Sequence, residues 1–372
     1  MTFLKERRYS MSDRKKEFIY MEYLRVISAF AVIVVHVSGA NWSKIEIGSF
    51  DWSVQTFYNL IGRFSVCVFC MISGALMLRS GKEMNFHSIF HKYIKRILIC
   101  YVVWVILYSL FYTLMNQKNI QYFILHLFQL PGHLWYLLML IGLYLITPVL
   151  KRITADRKVT LYVIWICIIF GAVFGTVEGV SSFFAEMAGD SYGYALWKAF
   201  LGDLHNLNMT IVPGYLGLYL LGHYIHEYGL GKWHSIIIYS AFPALLLSVL
   251  LTWGCSVITG KYVYTFMLET NPLVVLGSAG IFALFRSSKE KNKVYDENAW
   301  LTKAFVFLGS HTFGIYLVHV MVIDILDNYF AFNVASYPAI ISVPVNSIIV
   351  FLMALILAAL LKKIPKAGAI VS

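Results

Sequence analysis

The chain has 372 residues, of which 59% are hydrophobic and only 13% are charged. A soluble domain of this length carries about twice that fraction of charged residues, so the composition excludes an ordinary soluble protein. The net charge of +11 comes from basic residues in the connections between apolar segments, which is typical of a membrane protein, and we predict no nucleic-acid partner.

Ten apolar stretches are long enough to cross a hydrocarbon core, which takes about 20 helical residues. The sequence therefore predicts an all-α integral membrane protein that is embedded in the lipid bilayer and has the bilayer as a partner. A single membrane domain, residues 18–361, is expected between a cytoplasmic N-terminal segment, 1–17, and a cytoplasmic tail, 362–372. The predicted spans are 18–40, 53–78, 94–116, 133–150, 159–177, 209–226, 234–258, 264–286, 304–326 and 338–361.

The Lys and Arg residues are distributed unevenly between the two sides that these ten spans define. Of the 30, we assign 24 to the side of the termini, four to the other side and two to the spans themselves. Because cytoplasmic loops are enriched in basic residues, we predict that both termini are cytoplasmic. We expect a multi-pass protein of a bacterial plasma (inner) membrane, and the sequence leaves open whether it forms homo-oligomers.

Arg25 and His36 are ionisable residues within the first predicted span. Eleven residues make almost three helical turns, so both side chains share one helix face and lie about 16 Å apart along the axis. Ionisable residues within a membrane usually face a cavity or a partner, which makes both residues functional candidates. The alternatives are a buried neutral imidazole for His36 and a side chain that reaches the inner interface for Arg25.

The second predicted span places Arg63 near mid-membrane, where its guanidinium needs a partner or an aqueous cavity. The same span ends in Ile72-Ser73-Gly74-Ala75, where small residues permit close helix contact. The five cysteines all fall in apolar segments, so the sequence indicates neither a disulfide framework nor a metal site.

The connection after this span mixes Lys92, Lys95 and Arg96 with apolar and aromatic residues. This pattern suits a helix at the cytoplasmic interface. Its basic residues could either anchor the helix to the membrane surface or bind an anionic cofactor, and the sequence leaves both roles open.

Further histidines occur at the outer start of the fourth span, His133, and in the ninth span, His311 and His319. The direction of the ninth span brings His319 to a depth similar to that of His36, so the two imidazoles are expected to line one cavity. Helix packing is the alternative for His311 and His319, and a position at the membrane interface is the alternative for His133. Glu269 and Asp324 lie near outer ends of spans and are interpreted as solvated.

Several short motifs in this order resemble those of the acyltransferase-3 family, membrane proteins that O-acylate surface glycans and related acceptors. The first span has a basic residue, ten residues and a histidine, from Arg25 to His36, and the second has Arg63 before an apolar run into Ser73-Gly74. His133-Leu134-Trp135-Tyr136 resembles the opening of the family's fourth span, and Gly314 to His319 resembles its late Tyr-Leu-x-His motif.

Two positions depart from the family pattern. Cys67 stands where many relatives have proline, and Tyr93 occupies the first position of a cytoplasmic Arg-x-x-Arg pair whose second position is Arg96. Lys92 and Lys95 can supply the missing charge. We expect a stand-alone member without a fused hydrolase-like domain.

The resemblance implies transfer of an acyl group, with acetyl the first candidate, from cytosolic acetyl-CoA or another acyl-CoA to a hydroxyl of a glycan or lipid-linked glycan. It assigns His36 the role of general base or acyl carrier, and catalysis as a whole to His36, Arg25, Arg63 and His319. It assigns the cofactor to Lys92, Lys95, Arg96 and Ser73, the acceptor to His133, Trp135 and Tyr316, and no metal to the site.

Two other classes of protein remain open. A transporter or flippase also places Arg and His residues along a substrate pathway, although no repeated halves are detectable in this sequence. A membrane scaffold without chemistry leaves Arg63 at mid-membrane unexplained.

Overall fold

The structure is a computed structural model that describes residues 11–81, 85–129, 132–188, 214–290 and 299–364. For residues 11–17, 182–188 and 289–290 it describes the backbone alone. All regular secondary structure within these ranges is helical, and they contain no strand. The predicted all-α fold class is therefore confirmed.

Thirteen helices are labelled here in chain order. They are α1 Met11–Gly39, α2 Phe50–Gly62, α3 Phe64–Met77, α4 Phe86–Met115, α5 Ile120–Phe128, α6 Trp135–Ile153, α7 Arg157–Ser181 with an extension to Ala188, α8 Gly214–Tyr228, α9 His234–Thr259, α10 Pro272–Glu290, α11 Trp300–Gly309, α12 Thr312–Phe330 and α13 Ala339–Lys363.

Within the described ranges, nine helical stretches are long and apolar enough to cross a membrane. They correspond to nine of the ten predicted spans, and the sixth span corresponds to α8, whose 15 residues begin at the edge of the undescribed stretch 189–213. The chain is thus a multi-pass membrane protein. The outer connection predicted for 178–208 lies mostly outside the described residues, and the side that each loop faces stays a prediction.

Two predicted spans are interrupted. The second consists of α2 and α3, which meet at Arg63, and the ninth consists of α11 and α12, which are separated by Ser310 and His311. The Ser310 hydroxyl and His311 Nδ1 both bond to the Phe307 carbonyl, at 2.8 Å. Local side-chain hydrogen bonds of this kind compete with the helical backbone ladder, which explains why His311 lies between two helices rather than inside one.

The basic segment that was predicted to be cytoplasmic is the start of α4 rather than a separate helix. Asn85 accepts a hydrogen bond from the Ser88 backbone N–H at 2.7 Å, and this cap begins the helix at Phe86. Residues 89–94 form a π-helical turn, after which α4 continues to Met115. The Lys95 and Arg96 side chains are exposed on its early turns.

Helix α1 lies at the centre of the bundle. It contributes side chains to two hydrophobic clusters, one shared with α3, α8 and α10 and the other with α4, α6, α12 and α13. Within the protein, 61% of the apolar window of α1 and 67% of that of α2 and α3 are buried, against 22% for α7. Arg25, His36 and Arg63 therefore lie on helices that pack largely within the protein, and each of these three side chains is half-buried.

Helices α3 and α8 approach each other at two glycines. A β-carbon on Gly74 would stand 1.8 Å from the Tyr219 carbonyl oxygen, and one on Gly222 would stand 2.1 Å from the Met71 carbonyl oxygen. Because these neighbours are backbone atoms, no side-chain rotation relieves the overlap. Gly74 thus provides the close helix contact that the sequence predicted for this small-residue motif.

The connection between α9 and α10, residues 260–271, folds back into the bundle and is here called the re-entrant segment. The Ser248 hydroxyl donates to the Phe266 carbonyl at 3.0 Å, and the Cys67 thiol donates to the Glu269 carbonyl at 3.2 Å. Ser248 lies eleven residues before the end of α9, which is about 16 Å along the helix. Irregular backbone at this depth is tolerated only where it is buried in protein or lines a water-filled cavity.

The predicted orientation can be tested with an impermeant thiol reagent. We expect a cysteine at Asn119, which is exposed in the loop before α5, to react from outside in intact cells. The same result is expected at Ser191, whereas a cysteine at Asn292 should stay unlabelled. Ser191 and Asn292 lie outside the described residues.

The native cysteines should give a low background in this experiment. Four of them are buried and the fifth, Cys255, is half-buried. Labelling of a cysteine at residue 292 in intact cells would contradict the ten-span orientation.

Candidate active site

A cavity of about 350 Å³ lies between α1, α2, the start of α6 and the re-entrant segment. Its wall combines apolar side chains with an imidazole, a guanidinium, a carboxylate and an amide. The lining residues are Val32, Val35, His36, Gly39, Ala40, Asn59, Arg63, Ser65, Val66, Gly132, Trp135 and Glu269.

The half-buried His36 ring belongs to a cluster of three histidines. Its centroid lies 5.0 Å from that of His319 and 6.4 Å from that of His133, and the latter two are 5.3 Å apart. The structure therefore brings His36 and His319 together, as their expected depths predict. Only His36 lines the cavity, and the other two rings pack behind it.

His319 has a defined tautomer in this arrangement. Its Nδ1 lies 2.6 Å from the Tyr316 carbonyl oxygen. Because a carbonyl only accepts hydrogen bonds, Nδ1 carries the proton and Nε2 has a free lone pair. His319 is fully buried, and Nε2 has no hydrogen-bond partner within the described part of the chain.

His133 is also buried, and neither of its ring nitrogens has a hydrogen-bond partner among the described residues. The Tyr108 ring packs against it with a centroid distance of 4.9 Å, and the Tyr316 hydroxyl donates to its backbone carbonyl. His133 and Tyr316 thus form a layer behind the cavity wall. Of the three residues predicted to bind the acceptor, Trp135 lines the cavity itself.

Arg63 has the partner that its predicted position at mid-membrane requires. Its Nη1 donates to Glu269 Oε1 and its Nε donates to Asn59 Oδ1, both at 2.9 Å. The two charged side chains are only 22% and 16% exposed. The interpretation of Glu269 as a solvated residue at an outer helix end is therefore wrong, because the re-entrant segment brings this carboxylate to the depth of Arg63.

Sequence reasoning missed both partners of Arg63. A buried guanidinium requires a carboxylate partner. Because few acidic residues lie near the apolar stretches of this sequence, that requirement could have indicated Glu269. The signal for Asn59 was weaker and consisted of its position one helical turn before Arg63, where side chains on one helix face can contact each other.

Contacts between α1 and α2 hold Arg63 beside the cavity. A β-carbon on Gly62 would stand 2.8 Å from Val35 Cγ2 and 3.0 Å from the Ala31 carbonyl oxygen. The Asn59 side-chain amide donates to the Val35 carbonyl at 2.9 Å. These contacts fix α2 against the helical turn that ends at His36, so the imidazole and the guanidinium face one space.

The remaining predicted site residues do not line this cavity. Arg25 forms an ion pair with Glu22 on the same helix, and the Ser73 hydroxyl donates to the Phe69 carbonyl at 3.0 Å within α3. Lys92, Lys95 and Arg96 are exposed on the first turns of α4. The roles assigned to these five residues therefore concern the route by which an acyl donor would reach the cavity, and they remain proposals.

A family model described as an acyltransferase domain matches residues 18–363, which covers nearly the whole chain from α1 to α13. The chain belongs to the acyltransferase-3 family. No curated protein and no solved structure shows a significant match to it. The function common to the acyltransferase-3 family, acyl transfer at a membrane, is thereby assigned to this protein.

Chemically, the cavity of this acyltransferase-3 protein offers the two groups that acyl transfer requires. The imidazole of His36 can act as a proton acceptor, and the guanidinium of Arg63 can stabilise an oxyanion. Within the described ranges, no group of three or more His, Cys, Asp or Glu side chains is arranged to hold a metal ion.

Proposed function

We propose that this protein transfers an acetyl group from cytosolic acetyl-CoA, or a related short acyl group from its CoA ester, to a hydroxyl of a cell-surface or lipid-linked glycan. The observation that supports this most is the common cavity of His36 and Arg63 in an acyltransferase-3 chain. The plasma membrane of a bacterium is the expected location.

In the proposed reaction, the neutral imidazole of His36 accepts the proton of the acceptor hydroxyl while the hydroxyl oxygen attacks the thioester carbonyl carbon. The carbon–sulfur bond then breaks, and the protonated imidazole returns the proton to the departing thiolate of CoA. A second route, in which His36 first carries the acyl group, uses the same residues in two steps.

Arg63 is proposed to stabilise the tetrahedral oxyanion. Its Nη1 and Nε are occupied by Glu269 and Asn59, while Nη2 has no protein partner within the described residues. Three of the five N–H donors, both on Nη2 and the second on Nη1, therefore remain for an oxyanion in the cavity. Because Arg63 is held on both sides, these donors are preorganised, which is the condition under which such stabilisation is strongest.

His319 is proposed to assist proton transfer or to orient His36, because its free Nε2 belongs to a ring 5.0 Å from that of His36. His133 and Tyr316 shape the wall behind these rings, and Trp135 provides an aromatic surface to the acceptor.

The donor is proposed to enter from the cytoplasmic end of the bundle. Lys92, Lys95 and Arg96 contact the phosphates of CoA, and Arg25 and Ser73 lie along the path of its acyl-bearing arm. The axial separation of about 16 Å between Arg25 and His36 sets the distance that this arm covers.

Release of CoA from labelled acetyl-CoA by the purified protein, together with labelling of a glycan acceptor, tests the proposal directly. A transporter or flippase would move its substrate without consuming acetyl-CoA. Mass spectrometry of surface glycans from cells with and without the gene identifies the natural acceptor.

Neutralising Lys95 and Arg96 together, as Lys95→Gln with Arg96→Gln, should weaken acyl-CoA binding and make the remaining affinity less dependent on salt. Each charge-assisted phosphate contact is screened by ions, so loss of two contacts removes part of the salt dependence. The measurement is the dissociation constant of acetyl-CoA at several salt concentrations.

The matched control neutralises Arg152 and Lys158, which are exposed on another connection assigned to the same side. It removes the same net charge and should leave the affinity nearly unchanged. Equal affinities for the wild type and the Lys95/Arg96 variant would restrict these residues to membrane anchoring.

A further inference from the structure

The cavity contains one positive and one negative side chain, which contact each other. Among the described lining residues, only Arg63 and Glu269 carry formal charges at neutral pH. Their contact of 2.9 Å joins α2 to the re-entrant segment, 206 residues further along the chain. The cavity wall is thus polar but has no net formal charge.

We propose that Glu269 makes this cavity selective for an uncharged acceptor and excludes acceptors that carry a carboxylate or phosphate beside the reacting hydroxyl. This inference rests on the proposed function, because it concerns the acceptor of the same reaction.

Without Glu269, the exposed part of Arg63 would attract anions. A guanidinium presents N–H donors in a fork that matches carboxylate and phosphate groups. Glu269 occupies one side of this fork and adds a negative charge to the wall. An anionic acceptor would meet like-charge repulsion in a poorly solvated space, and repulsion of this kind is a common way to reject a wrong partner.

The same wall is well suited to a polyol. Glu269 Oε2 has no protein partner among the described residues and accepts hydrogen bonds, while Arg63 Nη2 donates them. Trp135 adds an aromatic surface. A volume of about 350 Å³ is at the small end of ligand cavities, so one neutral sugar unit and a short acyl group fit this cavity better than a larger substrate does.

The backbone positions Glu269 independently of its charge. The Cys67 thiol donates to the Glu269 carbonyl, and Ser248 holds the Phe266 carbonyl nearby. An isosteric Glu269→Gln change therefore keeps the shape of the wall and a hydrogen-bonding group for Arg63, and it alters mainly the charge.

The test uses labelled acetyl-CoA and two p-nitrophenyl glycosides that share one sugar ring, the neutral glucoside and the anionic glucuronide. For the wild type, we expect kcat/KM for the glucoside to exceed that for the glucuronide by at least about tenfold. Glu269→Gln should reduce this ratio to near one or reverse it. Glu46→Gln, an exposed carboxylate outside the cavity, is the matched control and should keep the wild-type ratio.

Equal acylation of both glycosides by the wild type, or an unchanged ratio in a folded Glu269→Gln protein, would overturn the inference. If Glu269→Gln does not fold, competition in the wild type decides, because the glucuronide should then inhibit glucoside acylation at least about tenfold more weakly than a second neutral glycoside does. Transfer to neither glycoside would also overturn it. Release of CoA in the same samples shows whether the donor chemistry of the proposed function survives that failure.

Discussion

Replacement of His36 by Ala or Gln should lower turnover per folded molecule by roughly two to four orders of magnitude, the usual contribution of a general base. The imidazole lines the cavity, and the two neighbouring histidines are buried behind it, so neither can take over its position. Acyl-CoA binding should largely survive, because the proposed phosphate contacts, Lys92, Lys95 and Arg96, do not line the cavity. The measurement is turnover with thermal stability determined in the same detergent.

His126→Gln is the matched control for this experiment, since His126 lies on the peripheral helix α5 and does not line the cavity. Its turnover should be close to that of the wild type. Near-normal turnover in a well-folded His36→Ala protein would exclude a catalytic role for His36, and His319 would become the leading candidate.

The Arg63→Leu variant should lose both stability and activity, for separable reasons. Removing one partner of a buried ion pair leaves the other charge uncompensated, which costs about 3–5 kcal/mol. Loss of the proposed oxyanion donors should lower kcat by about two to three orders of magnitude. The combined Arg63→Leu and Glu269→Leu variant should recover much of the stability, because no unpaired charge remains, while its turnover stays low.

Unfolding midpoints and turnover of the wild type, both single variants and the double variant form a complete cycle for this pair. Arg152→Leu, at an exposed arginine, is the control for loss of a guanidinium and should change neither property. Recovery of turnover in the double variant would show that Arg63 serves the fold alone.

The spans were predictable because each of them depends on local composition. About 20 apolar residues must be helical in a bilayer, where the backbone has no other hydrogen-bond partner. The predicted position of Arg63 at mid-membrane likewise indicated that this residue has a partner or faces a cavity. The structure shows both, since Arg63 contacts Glu269 and lines the cavity with His36.

The rest of the site depends on contacts that no local pattern encodes. Glu269 reaches Arg63 because the re-entrant segment leaves the helical path, and the hydrogen bond from Cys67 that holds this segment joins residues 202 positions apart in the sequence. Hydropathy places residues 264–271 at the start of the predicted span 264–286, so it does not show that this stretch leaves the helical path. The burial of His133 was not predictable from its position at the start of a span, because it results from packing against Tyr108 and Tyr316.

The contact of α3 with α8 affects how mutational scans of this protein should be interpreted. A methyl group at Gly74 or Gly222 would meet backbone atoms, so the two helices must separate to admit it. Helix α3 begins directly after Arg63. Because the backbone is continuous, a displacement of α3 also moves the Arg63 side chain. A substitution at Gly74 can therefore inactivate the enzyme although this residue has no side chain with which to do chemistry. Loss of activity at these glycines measures the spacing of two helices rather than the position of a catalytic group.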